Sequence, residues 1–196
     1  MFEFYHIFVI FFVAAISDNI VLSKFLGICP FLGVSKKLSS AYQMGLAVTC
    51  VMLFSSIITW LINKFILIPY GLEFLKIVSF ILIIASSVQL LEMYLKRFFH
   101  DVYDAFGVYL PLITTNCAIL GVALLNVQLQ HGLSETIFYP IGNGLGFLIA
   151  LILMAGIRER LELADVPAPF KGTPIALITA ALLALAFTGL KTIIFS

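Results

Sequence analysis

The chain's thiols are Cys29, Cys50 and Cys117. Cys29 opens the run Cys29-Pro30-Phe31-Leu32-Gly33-Val34, and Cys117 opens Cys117-Ala118-Ile119-Leu120-Gly121-Val122. Four of the six positions are identical, and the runs start 88 residues apart in a chain of 196. Thiolates suit soft iron, and an iron–sulfur cluster normally takes four of them. Two at equivalent positions make half a ligand set. Either a second polypeptide supplies the other half, or these cysteines are small apolar packing residues. Cys50, between Thr49 and Val51, belongs to no such run and reads as a small hydrophobe.

The neighbours of these cysteines carry their own expectations. Pro30 after Cys29 and Pro111 before Cys117 predict helix breaks, and Gly33 and Gly121 predict close approach of backbones. N–H groups freed at such breaks, with the side chains of Thr114, Thr115 and Asn116, are candidate donors to cluster sulfurs. Such donors raise a cluster's potential. Asp18 and Glu92 are the carboxylates within apolar stretches, and so are candidates for a coupling ion. Each also has a plain reading. Glu92 can reach toward Lys96 at i+4, and Asp18 with Ser17 and Asn19 can cap a half-helix starting at Ile20. His6, His100 and His131 are scattered and form no ligand pattern. There is no Ser/His/Asp arrangement, no paired-carboxylate signature and no Walker motif.

The elements that position these groups follow from the composition. The chain is 62% hydrophobic and 11% charged, with mean hydropathy +1.16. Soluble domains are about 25% charged, so lipid is the solvent for most of this chain. Net charge is +1, and no basic stripe with interleaved aromatics points to nucleic acid. The first basic residue is Lys24, so the first apolar run reads as mature protein rather than a cleaved signal. Six apolar stretches are marked, at 4–26, 41–62, 77–95, 106–125, 137–157 and 174–190. In hydrocarbon each must satisfy its own backbone, so six transmembrane helices are expected in an all-α integral membrane protein. Gly142, Gly144 and Gly146 in the fifth stretch predict a close helix-packing face.

Loop charges orient the chain. Lys24, Lys36, Lys37, Lys96, Arg97, Arg158, Arg160 and Lys171 fall on one side, against Lys64, Lys76 and Lys191 on the other. The richer side is cytoplasmic by the positive-inside rule, which puts both termini outside. Arg158-Glu159-Arg160 reads as a cytoplasmic anchor. The echo between the cysteine runs divides one membrane domain, 1–196, into halves of about 1–100 and 101–196, each with three crossings. An odd number of crossings inverts the second copy, which is the inverted-repeat arrangement with broken helices near the midplane.

The run from Lys24 to Lys37 and the run Leu110-Pro111-Leu112-Ile113-Thr114-Thr115-Asn116-Cys117, continuing to Val122, resemble the RnfA/NqrE family of membrane subunits. So do Ala155-Gly156-Ile157-Arg158-Glu159-Arg160 and the stretch from Ala164 to Gly172. The resemblance covers nearly the whole chain. The Thr114–Cys117 and Ala168–Phe170 runs look closer to the Rnf branch than to the Nqr branch, the sodium-pumping NADH:quinone reductases. The resemblance implies a bacterial inner-membrane subunit of a ferredoxin:NAD oxidoreductase that moves Na⁺ or H⁺. It implies a homologous RnfE-type partner of opposite orientation and one intramembrane [2Fe-2S] cluster shared between the two. Cys29 and Cys117 are then this chain's two ligands. Flavins, the NAD site and further clusters would belong to the other Rnf subunits (B, C, D and G). The alternatives are an Nqr-type subunit, a small secondary transporter without a redox centre, and a structural scaffold.

Overall fold

The computed structural model describes residues 10–11, 13–17, 19–35, 37–71, 73–98, 110–164 and 167–195. Asp18 and the half-repeat boundary near residue 100 lie outside the described residues. Among the described residues every regular element is helical. A π-helical turn, Val13–Ser17, precedes a looped turn and the short helix α1, Ile28–Val34. The long helix α2, Leu38–Ile62, continues as a π-helical turn, Asn63–Leu67. Then come α3, Lys76–Phe98, the short α4, Leu110–Thr114, and α5, Cys117–Gln128. The 30-residue α6, Leu133–Glu162, and α7, Thr173–Phe195, complete the chain.

Two helical stretches, Leu38–Leu67 and Leu133–Glu162, are long and apolar enough to cross a bilayer. Each has 30 residues and spans about 45 Å at the α-helical rise, more than the roughly 30 Å of hydrocarbon. Shorter apolar helices cover Lys76–Leu90, Leu112–Gln128 and Thr173–Gly189. The bundle exposes large apolar side chains, Phe54, Leu61, Leu82 and Leu185 among them. Such faces are unfavourable in water and neutral against acyl chains.

The core is the contact of α2 with α6. Without a hydrophobic force between helices in lipid, close approach depends on small residues. Gly142 and Gly146, one turn apart, face the N-terminal segment. A Cβ on Gly142 would stand 2.8 Å from the Phe11 carbonyl oxygen, and one on Gly146 2.6 Å from that of Ala15. Gly144, on another side of the helix, packs on α2, where its Cβ would stand 2.6 Å from Thr49 Oγ1. One glycine-rich run thus holds α6 against two neighbours. Asn19 secures the same contact. Its Nδ2 donates to the Gly146 carbonyl at 2.8 Å, while its Oδ1 accepts from Val21 N at 3.1 Å.

The prolines act differently from the sequence expectation. Pro30 lies in the first turn of α1, where a missing N–H costs nothing, and Pro111 lies within α4. Neither breaks a helix. The breaks fall just before the cysteines instead, at Phe25–Gly27 and at Thr115–Asn116. Pro140 lies inside α6 without ending it.

Candidate functional site

Both runs enter a helix at their cysteine. Cys29 is the second residue of α1, and Cys117 is the first of α5. Asn116 is the N-cap of α5, with φ −75° and ψ 113°. Its Oδ1 accepts from the Ala118 amide at 3.0 Å, so the cap fixes the direction in which Cys117 leaves the chain. Gly27 takes the corresponding place before α1, with φ +84° and ψ 24°. That left-handed conformation suits glycine and strains most other residues.

The fold brings these two starts together. The Gly27 N–H donates to Cys117 Sγ at 3.0 Å across 90 residues of sequence. A Cβ at Gly27 would stand 3.0 Å from Ala118 Cβ and 3.0 Å from Phe147 Cε2. Gly121 receives Leu26, whose Cδ1 would lie 2.6 Å from a Cβ there. The neighbour at Gly121 is thus a side chain and not the backbone the sequence led one to expect. Gly33, in contrast, is exposed and has only ordinary contact with Leu112. The expected donors to sulfur were freed N–H groups and the polar side chains before Cys117. The donor observed at Cys117 is the Gly27 amide, while the Asn116 carbonyl group is committed to the helix cap.

The cysteines differ in exposure. Cys29 is exposed, and Cys117 is half-buried. Cys50 is exposed in mid-α2, away from any helix start. Among the described residues no three His, Cys, Asp or Glu side chains converge to hold a metal. Two thiols at neighbouring helix starts are fewer than the four an iron–sulfur cluster normally takes. Beside these helix starts Phe31, Ala118, Ile119 and Phe147 are buried.

Arg158 has a role that sequence reading missed. Its Nη1 donates to the Leu32 carbonyl at 2.7 Å and to Ser35 Oγ at 2.9 Å. A guanidinium at the C-terminal end of α1 satisfies a carbonyl that has no helical partner and complements the helix dipole. It ties α6 to the helix that carries Cys29. Arg158→Ala should therefore cost about 1.5–3 kcal/mol, the range for hydrogen bonds to a charged donor. Thermal denaturation of the purified protein should show a lowered Tm, with Arg158→Lys intermediate. Glu92 is half-buried in α3, one turn from Lys96.

Residues 7–194 match the family described as Rnf-Nqr subunit, membrane protein. The chain belongs to the Rnf-Nqr family. It is 54% identical over 175 residues to a subunit of the ion-translocating oxidoreductase complex of Azoarcus sp. (strain BH72), covering 89% of this chain and 91% of that protein. It is 56% identical over 172 residues to a subunit of the Na⁺-translocating ferredoxin:NAD⁺ oxidoreductase complex of Acetobacterium woodii, covering 88% and 90%. A subunit of the ion-translocating oxidoreductase complex of Pectobacterium atrosepticum is 52% identical over 172 residues, covering 88% and 89%. Membership in this membrane family and the apolar helices agree on lipid as the chain's surroundings.

Proposed function

We propose that this Rnf-Nqr protein is the RnfA component of an Rnf-type ion-translocating oxidoreductase and supplies half of an intramembrane [2Fe-2S] site. The observation that carries the reading is the meeting of the two cysteine-bearing helix starts through the Gly27 N–H and Cys117 Sγ. The names of the relatives support the complex, and they favour the Rnf branch over the Nqr branch. No observation favours a redox-free transporter or a scaffold.

In this reading Cys29 and Cys117 hold one side of the cluster, and an RnfE-type homologue of opposite orientation brings two thiolates to the exposed Cys29 side. When bound, the cluster accepts and returns one electron. The chain's own residues prepare the place. Gly27 offers an N–H to sulfur, the Asn116 cap fixes Cys117, Arg158 fixes the α1 end, and the buried aromatics exclude water. In a low-dielectric interior an added charge is felt strongly by a nearby ion, which is the route by which Na⁺ or H⁺ movement follows redox state. Flavins, NAD and other clusters reside on the remaining subunits (B, C, D and G). Iron and sulfide analysis of the purified complex, with its visible absorption band, tests the reading. A colourless complex without iron overturns it.

The architecture that goes with this function is six crossings in two inverted halves, 1–100 and 101–196, in the bacterial inner membrane. Eight basic residues on one side against three on the other support it. A reporter fused after Ser196 should be extracytoplasmic, and one inserted near Lys37 cytoplasmic. Both reporters on one face would leave no room for three crossings per half.

A further inference from the structure

A cavity of about 400 Å³ opens where α2 and α5 end and α6 begins, at the opposite end of α5 from Cys117. Trp60, Asn63, Lys64, Lys76, Asn126 and His131 line it. Among the described residues no carboxylate lines it. Glu135, near its rim, accepts from the Gly132 amide at 3.0 Å and so serves the start of α6.

The walls are built and leave polar valence unused. Trp60 Nε1 donates to the His131 carbonyl at 3.0 Å, and His131 Nδ1 lies 2.8 Å from Asn126 Oδ1. The Lys64 ammonium stands 4.7 Å from the Trp60 ring centroid. Asn126 is 1% exposed, and its Nδ2 has no hydrogen-bond partner. Asn63 is 9% exposed, and its Oδ1 has none. Buried amide groups without partners are costly, so a ligand that satisfies them is favoured.

Depth identifies the ligand class. Trp60 and Lys64 lie roughly 11–17 Å along the axis from the middle of the Leu38–Leu67 stretch. With that stretch centred in the bilayer, half the hydrocarbon thickness of about 15 Å puts the cavity at the level of lipid headgroups. We propose that it binds the phosphate of an anionic phospholipid. Lys64 and Lys76 supply the charge. The Asn126 amide donates to a phosphate oxygen, and the Asn63 carbonyl accepts a headgroup hydroxyl. The Trp60 ring forms an amphipathic wall at the interface.

Trp60 is the chain's single tryptophan, so its fluorescence reports on this cavity. The full chain in neutral detergent is titrated with phosphatidylglycerol, with phosphatidylcholine and with inorganic phosphate. Phosphatidylglycerol should give a saturable change whose midpoint rises about fivefold in Lys64→Gln and in Lys76→Gln. Lys64→Arg should keep the wild-type midpoint. Lys76→Gln leaves the contact of Lys64 with Trp60 in place, so its effect is read against an unaltered probe. Phosphatidylcholine and inorganic phosphate should give no saturable change. An equal response to phosphatidylcholine, or a midpoint indifferent to both lysines, overturns the proposal. A response to inorganic phosphate without one to phosphatidylglycerol overturns the lipid source.

Discussion

Cys29→Ser and Cys117→Ser should each abolish the intramembrane [2Fe-2S] signal of the assembled complex, whereas Cys50→Ser should leave it intact. A serine hydroxyl is a harder and poorer ligand than a thiolate for iron in a sulfur site. In the proposed arrangement of two ligands from each partner, losing one leaves three thiolates, fewer than the four such a cluster normally takes. The electron paramagnetic resonance of the reduced complex and its iron-to-protein ratio are the readouts. Electron transfer coupled to ion movement should fall to background in the same two variants. The lone chain should hold no stable cluster, because Cys29 faces outward and the described residues contain no complete site. Stoichiometric iron in the lone chain, or a requirement for Cys50 without one for Cys29, would show the shared site to be wrong.

Sequence pattern and fold agree best where one local property decides the outcome. Apolar runs become helices because lipid leaves the backbone no other partner. Gly142, Gly144 and Gly146 pack closely, as a small-residue run in an apolar helix should. The echo between the two runs marks the two helix starts that meet through the Gly27 N–H and Cys117 Sγ.

What was not legible depends on long-range placement. A freed backbone N–H was the expected kind of donor, but no side-chain pattern marks which amide, here one 90 residues away, reaches Cys117. Arg158 looked like one of several loop cations. Only the packing of α6 against the end of α1 turns it inward to Leu32. The prolines misled because their effect depends on the helical position. Pro30 in a first turn is neutral, and the breaks fall at the residues before the cysteines.

Gly27→Ala tests whether that junction matters to the redox site as well as to the fold. Two costs add at this position. The residue is at φ +84°, where a side chain costs roughly 1–2 kcal/mol. Its Cβ would also press on Ala118 and Phe147 at 3.0 Å each, and overpacking typically adds about 1–3 kcal/mol. Gly71 separates the two. It has φ +64° with nothing within 4 Å of a Cβ, so Gly71→Ala carries the backbone cost alone. Thermal denaturation should therefore rank Gly27→Ala well below Gly71→Ala. Where the variant complex still assembles, relieving the contact with Ala118 moves the Gly27 N–H away from Cys117 Sγ. A sulfur that loses a hydrogen bond holds more electron density, so the cluster becomes harder to reduce. Its midpoint potential should shift negative in Gly27→Ala and stay at the wild-type value in Gly71→Ala. A Gly27→Ala complex that is destabilised but keeps the wild-type potential would reduce Gly27 to a packing residue and remove its amide from the electron relay.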